Sequence, residues 1–260
     1  MKITMPRQVR KQSELGLYHV MLRGNNKQVI FQDDDDYRKL LFTLYDCRLE
    51  TDLSIYAYCI MSNHIHLLIN ERTHTMSDFI KRVAAKYVLW YNTKYERCGH
   101  LFQGRFRSEP IQNTYELYNV MRYIHQNPYK AGIESEISSY RWSSYQEYIG
   151  MSFFCETDWF LNLISENRSV ALESFQLINH AFADKDFIDI DDKLGLSDSE
   201  ALHMVSTRLK WLNLQNVMRM SKEMRLKAFN AMFDLGLSIR QISRLTGFSY
   251  GTVRNNLFDK

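Results

Sequence analysis

Along the first half of the chain, short apolar runs alternate with longer stretches in which apolar residues recur every three or four positions. Leu17 to Leu22 is a compact apolar run closed by the turn cluster Gly24-Asn25-Asn26, which predicts a first strand. Asp33 to Asp36 then open a stretch with Leu40, Leu41, Leu44 and Leu49 at helical spacing. Acids at that end oppose the positive end of a helix dipole, so a first helix is predicted there. Leu53 to Met61 and His64 to Asn70 predict strands two and three, a hairpin joined at Ser62-Asn63. Ser77 is placed to cap a second helix with Phe79, Ile80, Val83, Tyr87 and Trp90 on one face, running toward Tyr95 and broken by Gly99 and Gly104. Phe106 to Ile111 predicts a fourth strand. Thr114 is placed to cap a third helix that runs to about Gln126 and stops at Pro128.

The order βαββαβα predicts an α+β fold, a ferredoxin-like split-βαβ antiparallel sheet with helices on one face. Beyond about Tyr140 the pattern is helical. Asp184 to Asp198 reads as an acidic linker or loop, and the last forty residues as two or three short helices. The expected division is a main domain over 1–145, a helical acidic connecting region over 146–220, and a terminal segment over 221–260.

Composition narrows the class. With 45% hydrophobic and 24% charged residues, 3 prolines and 10 glycines, the chain can build an ordinary core, which excludes a low-complexity or disordered protein. Cys47, Cys59, Cys98 and Cys155 are scattered, with no pair at zinc-knuckle or redox spacing, and are expected to be reduced thiols. No apolar run reaches the roughly 18 residues of a membrane span, and the first residues lack a signal-peptide pattern, so a cytoplasmic location is expected. Net charge is only +3, but it is unevenly spread. Residues 72–110 carry eight Lys/Arg against three acids, and 221–260 seven against three, while 150–200 carry three against eleven. Two basic segments around an acidic one suit a polyanion held at two places.

Candidate chemistry begins at His64 and His66. Residues i and i+2 of a strand share a face, so both imidazoles point one way and form half of a site for a divalent cation. Tyr123 and Asn127 stand at i and i+4 of the third helix and share a face that can reach the histidine strand. An amide oxygen of Asn127 can complete the coordination. Tyr123 can act as a nucleophile. A phenol attacks only when ionised, and its ordinary pKa is about 10. A cation that neutralises charge on a scissile phosphate makes in-line attack by the tyrosine oxygen feasible, leaving a phosphotyrosine link and a free 3′ hydroxyl. Tyr87, Tyr91 and Tyr95 also compete for that role, but their repeating helical spacing is a packing pattern.

Five ordered motifs carry a resemblance: Tyr18-His19-Val20, Arg23-Gly24-Asn25-Asn26, Met61 to Leu68, His100 to Phe106, and Arg122 to Pro128. Together they resemble the HUH single-tyrosine transposases, especially the REP-associated tyrosine transposases, over roughly residues 10–145. The resemblance implies that His64 and His66 hold the metal (Mg²⁺ or Mn²⁺) and that Tyr123 is the nucleophile. Asn127 falls where the family places a polar third ligand, often glutamine; Gln126 or a water is the alternative. It also implies action on single-stranded DNA, commonly at hairpins, with Arg23, Arg105 and Arg107 on the DNA.

The chain end adds a second DNA contact. Residues 237–257 resemble a helix-turn-helix: Ile239, Ile242 and Leu245 line one helix, Gly247 turns, Ser249 caps the next, and Val253 and Leu257 anchor it. Tyr250, Thr252, Arg254 and Asn255 are left to face a major groove of duplex DNA. The expected function is metal-dependent cleavage and rejoining of DNA. Alternatives are a non-catalytic DNA-binding regulator derived from a transposase, and a phosphodiesterase that uses water. Whether the protein acts as a monomer or a dimer stays open.

Overall fold

The computed structural model describes residues 11–73, 76–150, 152–181 and 198–258; most of the acidic stretch read as a linker lies outside them. Four strands, β1 (Leu17–Arg23), β2 (Leu53–Met61), β3 (His64–Glu71) and β4 (Arg107–Ile111), form one sheet in the order β2-β3-β1-β4, with every neighbouring pair antiparallel. The hairpin of β2 and β3 turns at Ser62-Asn63 as the pattern predicts. α1 (Asp34–Leu49) follows β1, and α2 (Met76–Lys94) and α3 (Thr114–Lys130) flank β4.

The helices cover both faces of the sheet, not one. Val20, Leu22, Ile60, Ile65, Leu67 and Ile69 pack with Leu40, Leu44, Phe79, Ile80 and Val83 of α1 and α2. Ala57, Cys59, Met61 and Leu68 point the other way and pack with Val120, Met121, Tyr123 and Ile124 of α3. Every residue of β1 and of β2 is buried, as strands covered on both sides must be. An alternating strand would leave one face to water; runs such as Leu-Tyr-His-Val-Met-Leu do not alternate. A bulge at Tyr56 shifts the β2 register between Ile55 and Ala57, so Tyr56 and Ala57 both join the α3-side cluster.

Helix boundaries follow local chemistry with three corrections. Asp33 caps α1 and forms a reciprocal capping box with Asp36. α2 already begins at Met76, so Ser77 lies inside its first turn. The cap of α3 is Asn113, whose side chain accepts the Glu116 N–H, and Thr114 is the first helical residue. Pro128 does not stop α3, which continues to Lys130. Its ring is buried, and its carbonyl accepts the N–H groups of Ile133 and Glu134, so packing offsets the missing donor. The stop is Gly132, at φ +70.

Seven further α-helices follow among the described residues: α4 (Tyr145–Tyr148), α5 (Thr157–Ile164), α6 (Arg168–His180), α7 (Asp198–Arg208), α8 (Lys222–Asp234), α9 (Ile239–Thr246) and α10 (Tyr250–Phe258). The buried cluster on the α3 side runs without a break through Phe160, Phe175, Met204 and Phe229 to Val253. Among the described residues no helix is long and apolar enough to cross a membrane, and all four cysteines are free thiols.

Candidate active site

Strand register assembles the site. In β1 and β3, Arg23 pairs with His64, Met21 with His66, and His19 with Leu68. Directly paired residues of an antiparallel sheet share a face, so His19, Met21, Arg23, His64 and His66 all look toward α3. β4 extends one row, because Arg107 pairs with Met21. α3 lies across this face, and its buried side brings Tyr123 onto the histidines of the same chain.

The geometry is close. The His64 and His66 rings stand edge to face, with centroids 4.8 Å apart. His66 stacks on His19 at 5.1 Å, and Nε2 of His19 is 2.9 Å from Nδ1 of His66. Tyr123 meets both rings edge-on, at 5.5 Å from His66 and 5.7 Å from His19. The ammonium of Lys130, two turns further along α3, sits 5.1 Å from the Tyr123 ring centre. On the other side, Nδ1 of His64 is 2.5 Å from Oδ1 of Asn63 in the hairpin turn.

Burial sets the charge state. Tyr123 and His19 are fully buried, His66 is 1% exposed and His64 7%, so the cluster is closed by the protein around it. Burial depresses the His19 pKa to about 3. His66 is held well below the ordinary histidine value by burial first, then by His64 and His19. Both rings are therefore neutral near pH 7, the form in which imidazole binds a metal. The remaining ring nitrogen of His66, Nε2, is buried with no hydrogen-bond partner. A buried polar atom without a partner costs about 1–3 kcal/mol, and a divalent cation is a fitting occupant for its lone pair.

The other residues singled out in the sequence fall in three places. The Asn127 amide donates to the Tyr123 carbonyl on its own helix, 3.0 Å away. Gln126 is turned away from the histidines, donating to the carbonyls of Asn179 and Ala181. Arg23 is buried beside His64, whereas Arg105 and Arg107 are exposed. At the chain end Ser238 and Gln241 form a capping box at α9, Gly247 takes the left-handed conformation at φ +76, and Ser249 accepts the Thr252 N–H. Val253 is buried, while Tyr250, Thr252, Arg254 and Asn255 are exposed.

His19 is the member of the cluster that reading the sequence for chemistry missed. Its signal was its position in β1, two residues before Met21 and four before Arg23, but that signal becomes a contact only once β1 pairs with β3. His125 was also overlooked: it is fully buried, with Nδ1 2.9 Å from Asn179 and Nε2 2.9 Å from Ser144.

With the histidine strand and the tyrosine helix on one face of this sheet, the first half of the chain is similar to a known transposase family. Residues 12–127 match the family described as "Transposase IS200 like". A solved structure, the REP-associated tyrosine transposase bound to a REP hairpin, shares the fold: TM-score 0.52 at 16% identity, over 72% of this chain and 98% of that one. A candidate transposase from Deinococcus radiodurans R1 aligns over 46% of this chain and 97% of its own, at 16% identity and a TM-score of 0.34. No curated protein gives a significant match.

Proposed function

We propose that this protein is a transposase that cuts and rejoins single-stranded DNA through a covalent 5′-phosphotyrosine link at Tyr123. The observation that carries the reading is the contact of Tyr123 with His66 on β3, the strand that also bears His64, and with His19 on the paired strand β1. The Tyr123 oxygen attacks phosphorus, the P–O3′ bond breaks, and the 3′ oxygen leaves and takes up a proton. Reversal by another strand's 3′ hydroxyl restores a phosphodiester and frees the tyrosine, with no external energy source.

His64 and His66 would hold a divalent cation, with Asn127 as the further ligand once its amide turns from the Tyr123 carbonyl. Bound there, the cation supplies charge neutralisation at the scissile phosphate. His19 orients His66. For Nε2 of His66 to present a lone pair, its Nδ1 must carry the proton and donate it to Nε2 of His19. The Lys130 ammonium over the Tyr123 ring favours the phenolate electrostatically. Arg107, in the cross-strand row of Met21 and His66, is placed to meet the DNA backbone, with Arg105 beyond it. Arg23, buried opposite His64, would meet the strand only next to the histidines.

A hairpin substrate is supported by the DNA-bound relative of the same fold. The ferredoxin-like reading is supported by the strand order. We assign the chemistry to 1–145 and a helix-turn-helix grip on duplex DNA to 221–260, joined by 146–220, because the exposed residues of α10 are those a groove-facing helix would present.

Labelled single-stranded hairpin DNA incubated with Mn²⁺ should give a covalent adduct on a denaturing gel, lost in Tyr123→Phe and in His64→Ala/His66→Ala. Cleavage without an adduct would point to water as the nucleophile. Binding without cleavage, across a panel of hairpins, would point to a regulator.

A further inference from the structure

A cavity of about 240 Å³ opens between α2 and the segment 101–106, on the α1 and α2 side of the sheet. Its floor is Leu22 and Ile80, both part of the buried core. Its walls are Phe102 and Phe106, which are neither fully covered nor fully exposed. Lys81 and Arg105 are exposed at its lining. Between the two aromatics stands Gly104, at φ +62 with open space where a side chain would begin, so the mouth is unobstructed.

The walls are fixed in place. The Gln103 N–H donates to the Arg23 carbonyl at 2.7 Å, and Phe102 bridges to Gly24. The segment is thus tied to the end of β1 where Arg23 stands opposite His64. The cavity and the histidine cluster lie at the same end of the sheet, on either side of β1.

This lining is selective. A phosphate site has no use for an apolar floor and two phenyl walls, and a simple packing defect has no use for two cations at its mouth. Aromatic faces flanked by cations suit a stacked base with its sugar-phosphate chain alongside. We propose that the cavity takes one unpaired nucleobase of single-stranded DNA, stacked on Phe106 and Phe102, with the adjoining phosphates on Lys81 and Arg105. The proposal rests on the DNA-cleaving reading above and deepens it: the base held here flanks the strand presented to Tyr123.

The test uses the full chain in EDTA, so that no cleavage occurs. Two fluorescent probes are compared by anisotropy: an oligothymidylate of about twelve nucleotides and an abasic deoxyribose-phosphate oligomer of equal length. They carry the same phosphates and differ only in bases. Wild type should prefer the thymidylate by about five-fold or more, the lower end for one stacked base. Phe106→Leu keeps an apolar side chain for packing but removes the ring, and should abolish that preference while leaving abasic binding unchanged. Lys81→Ala/Arg105→Ala should weaken both probes alike. A Phe106→Leu protein with unchanged melting temperature that keeps the full preference overturns the base pocket and leaves the DNA reading intact. A wild type that binds neither probe overturns the pocket, while the adduct assay on hairpin DNA decides the cleavage reading separately. A wild type that binds both equally shows a phosphate groove only, and also overturns the pocket.

Discussion

At the residue scale, the buried histidines make stability depend on pH. His19 and His125 are fully buried, and burial lowers their pKa values to about 3 and about 4, from 6.5 in the unfolded chain. The folded state therefore holds the neutral form. Above pH 6.5 neither state binds the proton and the contribution is complete; as pH falls, the unfolded chain protonates first and the contribution is lost down to the folded values. At 1.36 kcal/mol per pKa unit the loss is on the order of 3–5 kcal/mol for each ring. Urea midpoints should fall steeply between pH 7 and 4.5, and less steeply in His19→Gln/His125→Gln; parallel slopes would sink the account. A second expectation follows from the tautomer His19 imposes. His19→Ala should weaken Mn²⁺ binding by about 10–100-fold in calorimetry, the usual effect of removing a partner of a ligating histidine. Mn²⁺ should also bind more tightly than Mg²⁺, since imidazole suits the softer ion. His64 and His66 were legible because strand periodicity acts within one segment. His19 was not, because it joins them only through pairing across 47 positions.

At the element scale, the site depends on how α3 is fastened. Its start is fixed by Asn113, whose side chain accepts the Glu116 N–H. Its buried side is tied by His125 to Asn179 and Ser144, and by Gln126 to the carbonyls of Asn179 and Ala181. Asn113→Ala should cost about 1 kcal/mol in denaturant unfolding, as lost N-caps do. Gln126→Ala removes one bond to the buried Asn179 carbonyl and one to the exposed Ala181 and should cost about 1–3 kcal/mol, with faster amide exchange in α3 and α6. If Gln126 were the metal's third ligand instead, the variant would lose metal affinity and leave exchange in α6 unchanged. The elements themselves were largely legible, since apolar periodicity marks each strand and helix. Their layering was not: the helices were expected on one face of the sheet, although near-continuous apolar runs belong to strands covered on both. Pro128 misled for a related reason, because local propensity says nothing of the buried surroundings that hold the helix together past it.

At the scale of the whole molecule, the question is how an end so far from the histidines in sequence takes part. The apolar cluster that holds Tyr123 continues through α6, α7 and α8 to Val253, so α10 rides on a frame continuous with the site. α9 is fastened to that frame from outside as well, by the paired bonds of Arg244 to Asp198 at 2.7 Å. The exposed residues of α10, by contrast, contribute little to the core, so their types are free to serve a ligand. Arg254→Ala should therefore leave the melting temperature within about 0.5 kcal/mol of wild type in stability terms, as surface changes do. If α10 grips duplex DNA, the same variant should bind duplex more weakly, and its slope of log affinity against log salt should fall by about one, the share of a single phosphate contact. Adduct formation on a short hairpin with no duplex flank should be unchanged, because Tyr123 and the histidines are untouched. Equal loss on both substrates would mean that α10 serves the site through the frame, and an unchanged salt slope would remove the chain end from the DNA altogether.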